Sequence, residues 1–308
     1  MIVTVTLNPS LDRTLAVSEL VRGEVIRADS TIEDPGGKGV NVTRFLTARG
    51  SDSVAVLPVG GSIGRGLVGL LDDAGIAYRS IPIQGRTRAN VTVVEPDGTT
   101  TKLNEPGPDL AAAEIDALID AVAGLVTPGG WVVVAGSLPT DLDTSVLTRL
   151  ADVARAAGAR FALDASGDAL GDGLAAGPDL IKPNDEELGE ILGRDLGTID
   201  EVLAGCDEAR ARGARAVICS LGSKGAVLVD DQGRWFATGP KVPVLSTVGA
   251  GDSLLAGFLH GGGSGPEALR VGIAWATAAV QTAGTGVPVA ELIDPDSVEV
   301  RPISGTGG

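Results

Sequence analysis

Residues 131–164 decide the fold: Trp131-Val132-Val133-Val134-Ala135, then a helical stretch over 142–157 closed by Gly158, then Arg160-Phe161-Ala162-Leu163-Asp164. The two short runs read as strands, and a Gly just past the helical stretch is a C-terminal cap signal. Strand, helix and strand in that order make a parallel pair with a crossover helix. Asp164 ends the second strand, at the edge where open α/β sheets bind ligands.

The alternation extends both ways. Further strands are read at 1–7, 53–59, 179–182, 215–220 and 225–230. Helices are read at 39–49, 64–74, 109–124, 198–212, 251–261 and 266–283. The predicted fold class is therefore α/β, a mostly parallel sheet covered on both faces. Two stretches interrupt the pattern. Residues 12–33 hold strand-like pieces without a helix. Residues 86–104 read as a hairpin, Thr87–Val94 and Thr99–Asn104 about the turn Glu95-Pro96-Asp97-Gly98. These pieces are expected to pair into one small β lid. The expected division is 1–11, 34–84 and 105–300 for the main domain, 12–33 and 85–104 for the lid, and a disordered tail over 301–308.

The 308 residues carry 24 Lys+Arg against 40 Asp+Glu, a net charge of −16. Such a surface has no electrostatic footprint for nucleic acid or an anionic membrane face. One His excludes a His-rich metal site and most His-based triads. Two cysteines, Cys206 and Cys219, are too few for a disulfide framework. No run of about 18 apolar residues exists, and Met1–Leu7 reads as a strand rather than a leader. A soluble, cytoplasmic protein is expected.

Several Gly-containing loops stand where such a sheet binds ligands. Gly64-Arg65-Gly66-Leu67-Val68-Gly69 matches a dinucleotide fingerprint, but Ser80 to Val94 offers no acid for a ribose, so a tight strand-to-helix turn is the better reading. Ser246-Thr247-Val248-Gly249-Ala250-Gly251-Asp252-Ser253 is stronger. Small residues leave the amides of Gly249, Ala250 and Gly251 unobstructed at a helix start, an anion cradle with Asp252 beside it. Helix capping alone accounts for Asp252 but not for three small residues before it.

Asp34-Pro35-Gly36-Gly37-Lys38-Gly39-Val40-Asn41 embeds a lysine among three glycines, and Lys38 and Asn41 share one side of the next helix. Strand periodicity puts Arg86, Arg88 and Asn90 on one face, opposite Thr87, Ala89, Val91 and Val93. Guanidinium forks suit phosphate; a charged edge strand is the plainer alternative. Lys182-Pro183-Asn184-Asp185-Glu186-Glu187 fits a capping box, with Asn184 and Glu187 also able to serve a nucleotide phosphate and a hydrated Mg²⁺. Ser220-Leu221-Gly222-Ser223-Lys224-Gly225 reads as a hairpin turn that could add a phosphate contact.

Together these segments resemble the ribokinase-like (PfkB) carbohydrate kinases over nearly the whole chain. Gly36–Val42 and Ser246–Asp252 look like the two family signatures. Thr6-Leu7-Asn8-Pro9, Gly85–Val91, Lys182-Pro183-Asn184 and Ser220-Leu221-Gly222 look most like the 1-phosphofructokinase branch, beside tagatose-6-phosphate kinases and minor 6-phosphofructokinases. The resemblance implies a three-layer α/β/α sandwich with a small β lid, often dimeric through the lids, and transfer of the ATP γ-phosphoryl to a sugar phosphate with Mg²⁺. It implies Asp252 as base, with Gly249, Ala250 and Gly251 as the anion hole. Asp12, Gly37, Lys38 and Asn41 match sugar contacts, and Arg86, Arg88 and Asn90 match sugar-phosphate contacts. Asn184, Ser220, Gly222 and Gly225 match ATP contacts, and Glu187 the Mg²⁺-water position. Lys182 and Lys224 are read as further ATP contacts, Asp164 as a metal ligand, and Ala279–Gly286 as part of an adenine pocket. Fructose 1-phosphate is the leading acceptor; tagatose 6-phosphate, fructose 6-phosphate, a non-catalytic sensor and an oxidoreductase are the alternatives.

Overall fold

The structure is a computed structural model that describes residues 1–282, 284 and 286–304. The strands are β1 (Ile2–Val5), β2 (Ser10–Ala16), β3 (Ser30–Gly36), β4 (Ser53–Val59), β5 (Tyr78–Pro82), β6 (Arg88–Val94), β7 (Thr100–Asn104), β8 (Trp131–Ala135), β9 (Arg160–Asp164), β10 (Leu180–Ile181), β11 (Val217–Ser220), β12 (Ala226–Asp230), β13 (Gly233–Thr238) and β14 (Glu299–Pro302). The helices are α1 (Lys38–Thr47), α2 (Gly61–Asp73), α3 (Ala112–Ala123), α4 (Ser145–Ala156), α5 (Asp168–Gly173), α6 (Asp185–Leu192), α7 (Ile199–Ala211), α8 (Ala250–His260) and α9 (Gly265–Ala279).

Among the described residues, ten strands form one sheet in the order β14-β13-β12-β11-β10-β9-β8-β1-β4-β5. It is parallel from β5 to β11, and β12, β13 and β14 add antiparallel edges. Alternating side chains bury in opposite directions. Val132 and Val134 of β8 pack under α3–α7, while Trp131, Val133 and Ala135 pack with α1, α8 and α9. Both faces being apolar explains why these strands read as continuous hydrophobic runs. The α/β/α layering is the expected one.

A second sheet has the order β3-β2-β6-β7. Its β2 and β6 pair in parallel, with Ser10 opposite Arg88 and Asp12 opposite Asn90. Ser10, Leu11 and Asp34–Gly36, which the sequence assigned to the main domain, lie within its strands. Arg86 does not join β6, which begins at Arg88; its stem lies beside Gly61 and its side chain is exposed. Gly64, Gly66 and Gly69 lie inside α2 rather than in a turn, because the turn falls earlier, at Gly60 and Gly61. Arg301 and Pro302 close β14 instead of starting a tail, held by pairing with β13; residues 305–308 of that tail lie outside the described residues.

Candidate active site

Helix α8 starts at the C-terminal side of the large sheet with no side chain capping it, and its N-cap residue Gly249 has φ +79. A left-handed backbone there favours Gly. Ala250 N makes a long contact of 3.4 Å to the Thr247 carbonyl; the amides without a side-chain cap and the helix dipole make this end attractive to an anion. Asp252, in the first turn, does not cap it. Its side chain is 6% exposed, and Asn41 Nδ2 donates to Asp252 Oδ2 at 2.8 Å. The capping alternative raised by the sequence is thereby set aside.

Lys38 opens α1 after Gly37, whose φ of +119 turns the chain into the helix. Asn41 follows one turn later on the same side. Lys38 Nζ donates to Asp164 Oδ1 at 3.0 Å, and Lys182 Nζ lies 3.0 Å from Asp164 Oδ2. A methyl group on Gly251 would come within 3.2 Å of Lys182 Nζ, so that ammonium stands at the amide end of α8. One cluster therefore unites Lys38, Asn41, Asp164, Lys182, Gly251 and Asp252 from α1, β9, the chain after β10, and α8.

Burial pushes the Asp252 carboxyl up to about 6, with the Asp164 charge adding; the Asn41 hydrogen bond, Lys182 and Lys38 pull the other way. Asp164 is fully buried, which alone would raise it, but Lys182 and Lys38 together hold it below its ordinary value. The Asp164 charge raises the Lys38 ammonium against its own burial, with Glu187 and Asp252 contributing. Asp252 is thus the carboxyl of this cluster poised to exchange a proton near neutrality.

The small sheet adds a polar face. Asn90 Nδ2 donates to Asp12 Oδ1 at 2.8 Å and to Ser10 Oγ at 3.0 Å. Arg88 donates to the carbonyls of Glu105 and Asn8 at 3.1 and 3.3 Å. Burial lowers the Arg88 guanidinium below its ordinary value, opposed by Asp12 and Glu105. Four buried atoms here lack a protein partner: Thr6 Oγ1, Asn8 Oδ1, Arg88 Nε and Asn90 Oδ1. Unpaired buried polar atoms cost roughly 1–3 kcal/mol each, so their concentration in one place marks a site for a polar ligand. Thr6 and Asn8 lie in the Thr6-Leu7-Asn8-Pro9 motif that carries the resemblance, but a hydroxyl or amide at a strand end has no spacing of its own that assigns it a role, and the same holds for Ser10.

On the other side, Asn184 and Glu187 form the expected capping box of α6. Glu187 N donates to Asn184 Oδ1 at 2.7 Å and Asn184 N to Glu187 Oε2 at 3.0 Å. Asn184 pairs with Ser220 in a single parallel bridge, so these two predicted residues meet. Gly225 (φ +110) packs against the Ala237 carbonyl, too close for any side chain, which accounts for that glycine without a ligand. Gly222 and Lys224 form an exposed turn, and Lys224 makes no ion pair among the described residues. No cluster of three or more His, Cys, Asp or Glu among the described residues is arranged to hold a metal. No helix among them is long and apolar enough to cross a membrane. Of the stretch Ala279–Gly286, Ala283 and Thr285 lie outside the described residues.

The sequence matches the pfkB family carbohydrate kinase pattern over residues 5–292. It is 38% identical over 304 residues to 1-phosphofructokinase of Rhodobacter capsulatus, covering 95% of this chain and 94% of that protein. It is 37% identical over 291 residues to ATP-dependent 6-phosphofructokinase isozyme 2 of Mycobacterium tuberculosis, covering 92% and 85%. The fold superposes on phosphofructokinase-2 from Escherichia coli in complex with potassium, with a TM-score of 0.89 and 33% identity over 95% of this chain and 96% of that one.

Proposed function

Because the chain belongs to the pfkB family of carbohydrate kinases, we propose that it transfers the γ-phosphoryl group of ATP to fructose 1-phosphate, giving fructose 1,6-bisphosphate, with Asp252 as the general base. The observation that carries the reading is the buried Asp252 carboxylate, held by Asn41 at an uncapped helix start beside Lys182. In the step, the acceptor hydroxyl oxygen bonds to the γ-phosphorus and its proton passes to Asp252. The bond from that phosphorus to the bridging oxygen breaks, and ADP leaves with the electron pair. Phosphoryl transfer needs positioning and charge neutralisation above all. The amides of Gly249, Ala250 and Gly251, with Lys38 and Lys182, would neutralise the moving group in a chain whose overall charge opposes anions.

Asp12, Gly37, Lys38, Asn41 and Asn90 would hold the sugar, and Arg88 with the free guanidinium of Arg86 its phosphate. Asn184, Ser220, Gly222, Gly225 and Lys224 would line the ATP side. The donor set fits Mg²⁺ carried on nucleotide phosphates rather than a protein cage. The Glu187 oxygen outside the capping box would reach it through water, whereas Asp164 accepts from Lys38 and is ion-paired with Lys182, which suits an indirect role. When bound, Mg²⁺ supplies charge neutralisation for the phosphates. The small sheet and its connections, residues 10–36 and 85–104, would act as the lid. Val25, Ile32 and Leu103, exposed on that unit, support a homodimer formed through it. The enzyme would work in the cytoplasm, where ATP is held and the thiols of Cys206 and Cys219 stay reduced.

A coupled assay with MgATP and each of fructose 1-phosphate, fructose 6-phosphate and tagatose 6-phosphate tests the acceptor. The highest kcat/KM is expected for fructose 1-phosphate; a higher value for either rival overturns that choice. ATP consumption with none of the three would favour the sensor.

A further inference from the structure

Arg44 enters none of the expectations above, yet its guanidinium is buried in α1 between the two sheets. Nη1 donates to Asn41 Oδ1 at 3.3 Å, and Nη2 lies 3.8 Å from Asp34 Oδ1 on β3. Among the described residues, no other side chain bonds to Asn41 Oδ1, and Asn41 spends its Nδ2 on Asp252. We propose that Arg44 is a positioning residue: by donating to Asn41 Oδ1 it keeps the Asn41 N–H aimed at Asp252, and its ion pair with Asp34 ties that setting to the small sheet.

A guanidinium carries only donors, whereas an amide presents a donor at one end and an acceptor of nearly the same shape at the other. An ionised Asp252 accepts and selects the N–H end. Once Asp252 has taken the acceptor's proton it can donate, and an unrestrained Asn41 would turn its oxygen to hold that proton. With Arg44 in place, the turned amide would set N–H against N–H, leaving two buried donors unpaired. Asn41 therefore continues to favour the ionised carboxylate, and the base is released for the next turnover. Asp34 extends the chain of contacts to the sheet that carries Asp12 and Asn90.

The inference rests on Asp252 being the base, and the test separates the two. Arg44→Gln and Arg44→Lys are made singly and in an Asn41→Ala background, with Asp252→Asn alongside. They are assayed with MgATP and whichever of the three sugar phosphates is turned over fastest. Arg44→Gln brings an acceptor as well as donors, so kcat should fall about tenfold with KM for ATP within about twofold. Arg44→Lys offers donors alone and should keep kcat within about threefold. In the Asn41→Ala background, Arg44→Gln should change kcat less than about twofold, because contacting residues acting through one group are not additive. Equal losses for Gln and Lys, or a tenfold loss that persists without the Asn41 amide, overturn the inference. If Arg44→Gln does not fold, Arg44→Lys decides: kcat within about threefold supports the inference and a larger loss overturns it. Near-normal turnover by Asp252→Asn removes the base itself, whereas a full loss there with uncoupled Arg44 variants removes only the role of Arg44.

Discussion

Replacing Asp252 by Asn should make the protein more stable while nearly stopping it as an enzyme. In the folded chain burial pushes this carboxyl up to about 6, against an ordinary value of 3.8. The native state then binds the proton more tightly than the unfolded chain. Below about pH 3.8 both states are protonated, and the carboxyl is no burden to the fold. As pH rises through about 6, the native state must hold a buried anion, at roughly 1.4 kcal/mol for each pH unit between the two values, or about 3 kcal/mol in all. The Asp252→Asn side chain is neutral at every pH and retains an oxygen to accept from Asn41 Nδ2. Thermal unfolding at pH 8 should therefore give a Tm raised by roughly 5 °C, while kcat falls by at least about 10²-fold. At pH 4 the Tm difference should shrink toward zero. A Tm difference that is the same at pH 4 and pH 8, or a variant less stable than the parent at pH 8, would show that Asp252 does not hold a costly buried charge.

Three further predictions address the same site. The logarithm of kcat should fall with unit slope below about pH 6 as Asp252 is protonated; a profile flat down to pH 5 contradicts its assignment as base. Arg88→Ala should raise the KM for the sugar phosphate about 10- to 100-fold, the worth of a charge-assisted hydrogen bond, with KM for ATP little changed; an unchanged sugar-phosphate KM takes Arg88 out of the subsite. Gly36→Ala would put a methyl within 2.5 Å of both Asp12 carboxylate oxygens, so Asp12 must move. Sugar-phosphate KM should rise by about tenfold or more while kcat falls less, and wild-type kinetics would show that Asp12 does not bind the sugar.

Much of this arrangement was legible because its signals are local. Strands β4, β8 and β9 are buried on both faces, so their runs Ser53–Val59, Trp131–Ala135 and Arg160–Asp164 stand out and their ends fall where expected. The capping box at Asn184 and Glu187 is a pattern of two residues three apart, and it forms as read. The edge strands escaped notice for the opposite reason. Among the five residues of β5 only Ile81 is buried, and β14 is Glu299-Val300-Arg301-Pro302, polar and ending in Pro. Such strands are defined by their neighbours rather than by their own pattern. The alternation over Arg86–Val93 gave the right face for Arg88 and Asn90 but began two residues early, since nothing in the sequence shows where pairing with β2 starts. Likewise Lys38, Lys182, Asp164 and Asp252 could be named singly, but their convergence is a matter of topology. Arg44 was invisible because a lone Arg inside a helix usually means a solvated face, whereas this one is buried against Asn41 and Asp34.

A crystal structure with a non-hydrolysable ATP analogue, Mg²⁺ and fructose 1-phosphate would show directly whether Asp252 serves as the base. An Asp252 carboxylate oxygen should lie within about 2.6–3.2 Å of a sugar hydroxyl, with that hydroxyl in line with the γ-phosphorus and the phosphoryl oxygens facing the amides of Gly249, Ala250 and Gly251. A sugar phosphate bound with Asp252 turned away from every hydroxyl, or a γ-phosphate remote from the start of α8, would contradict that role.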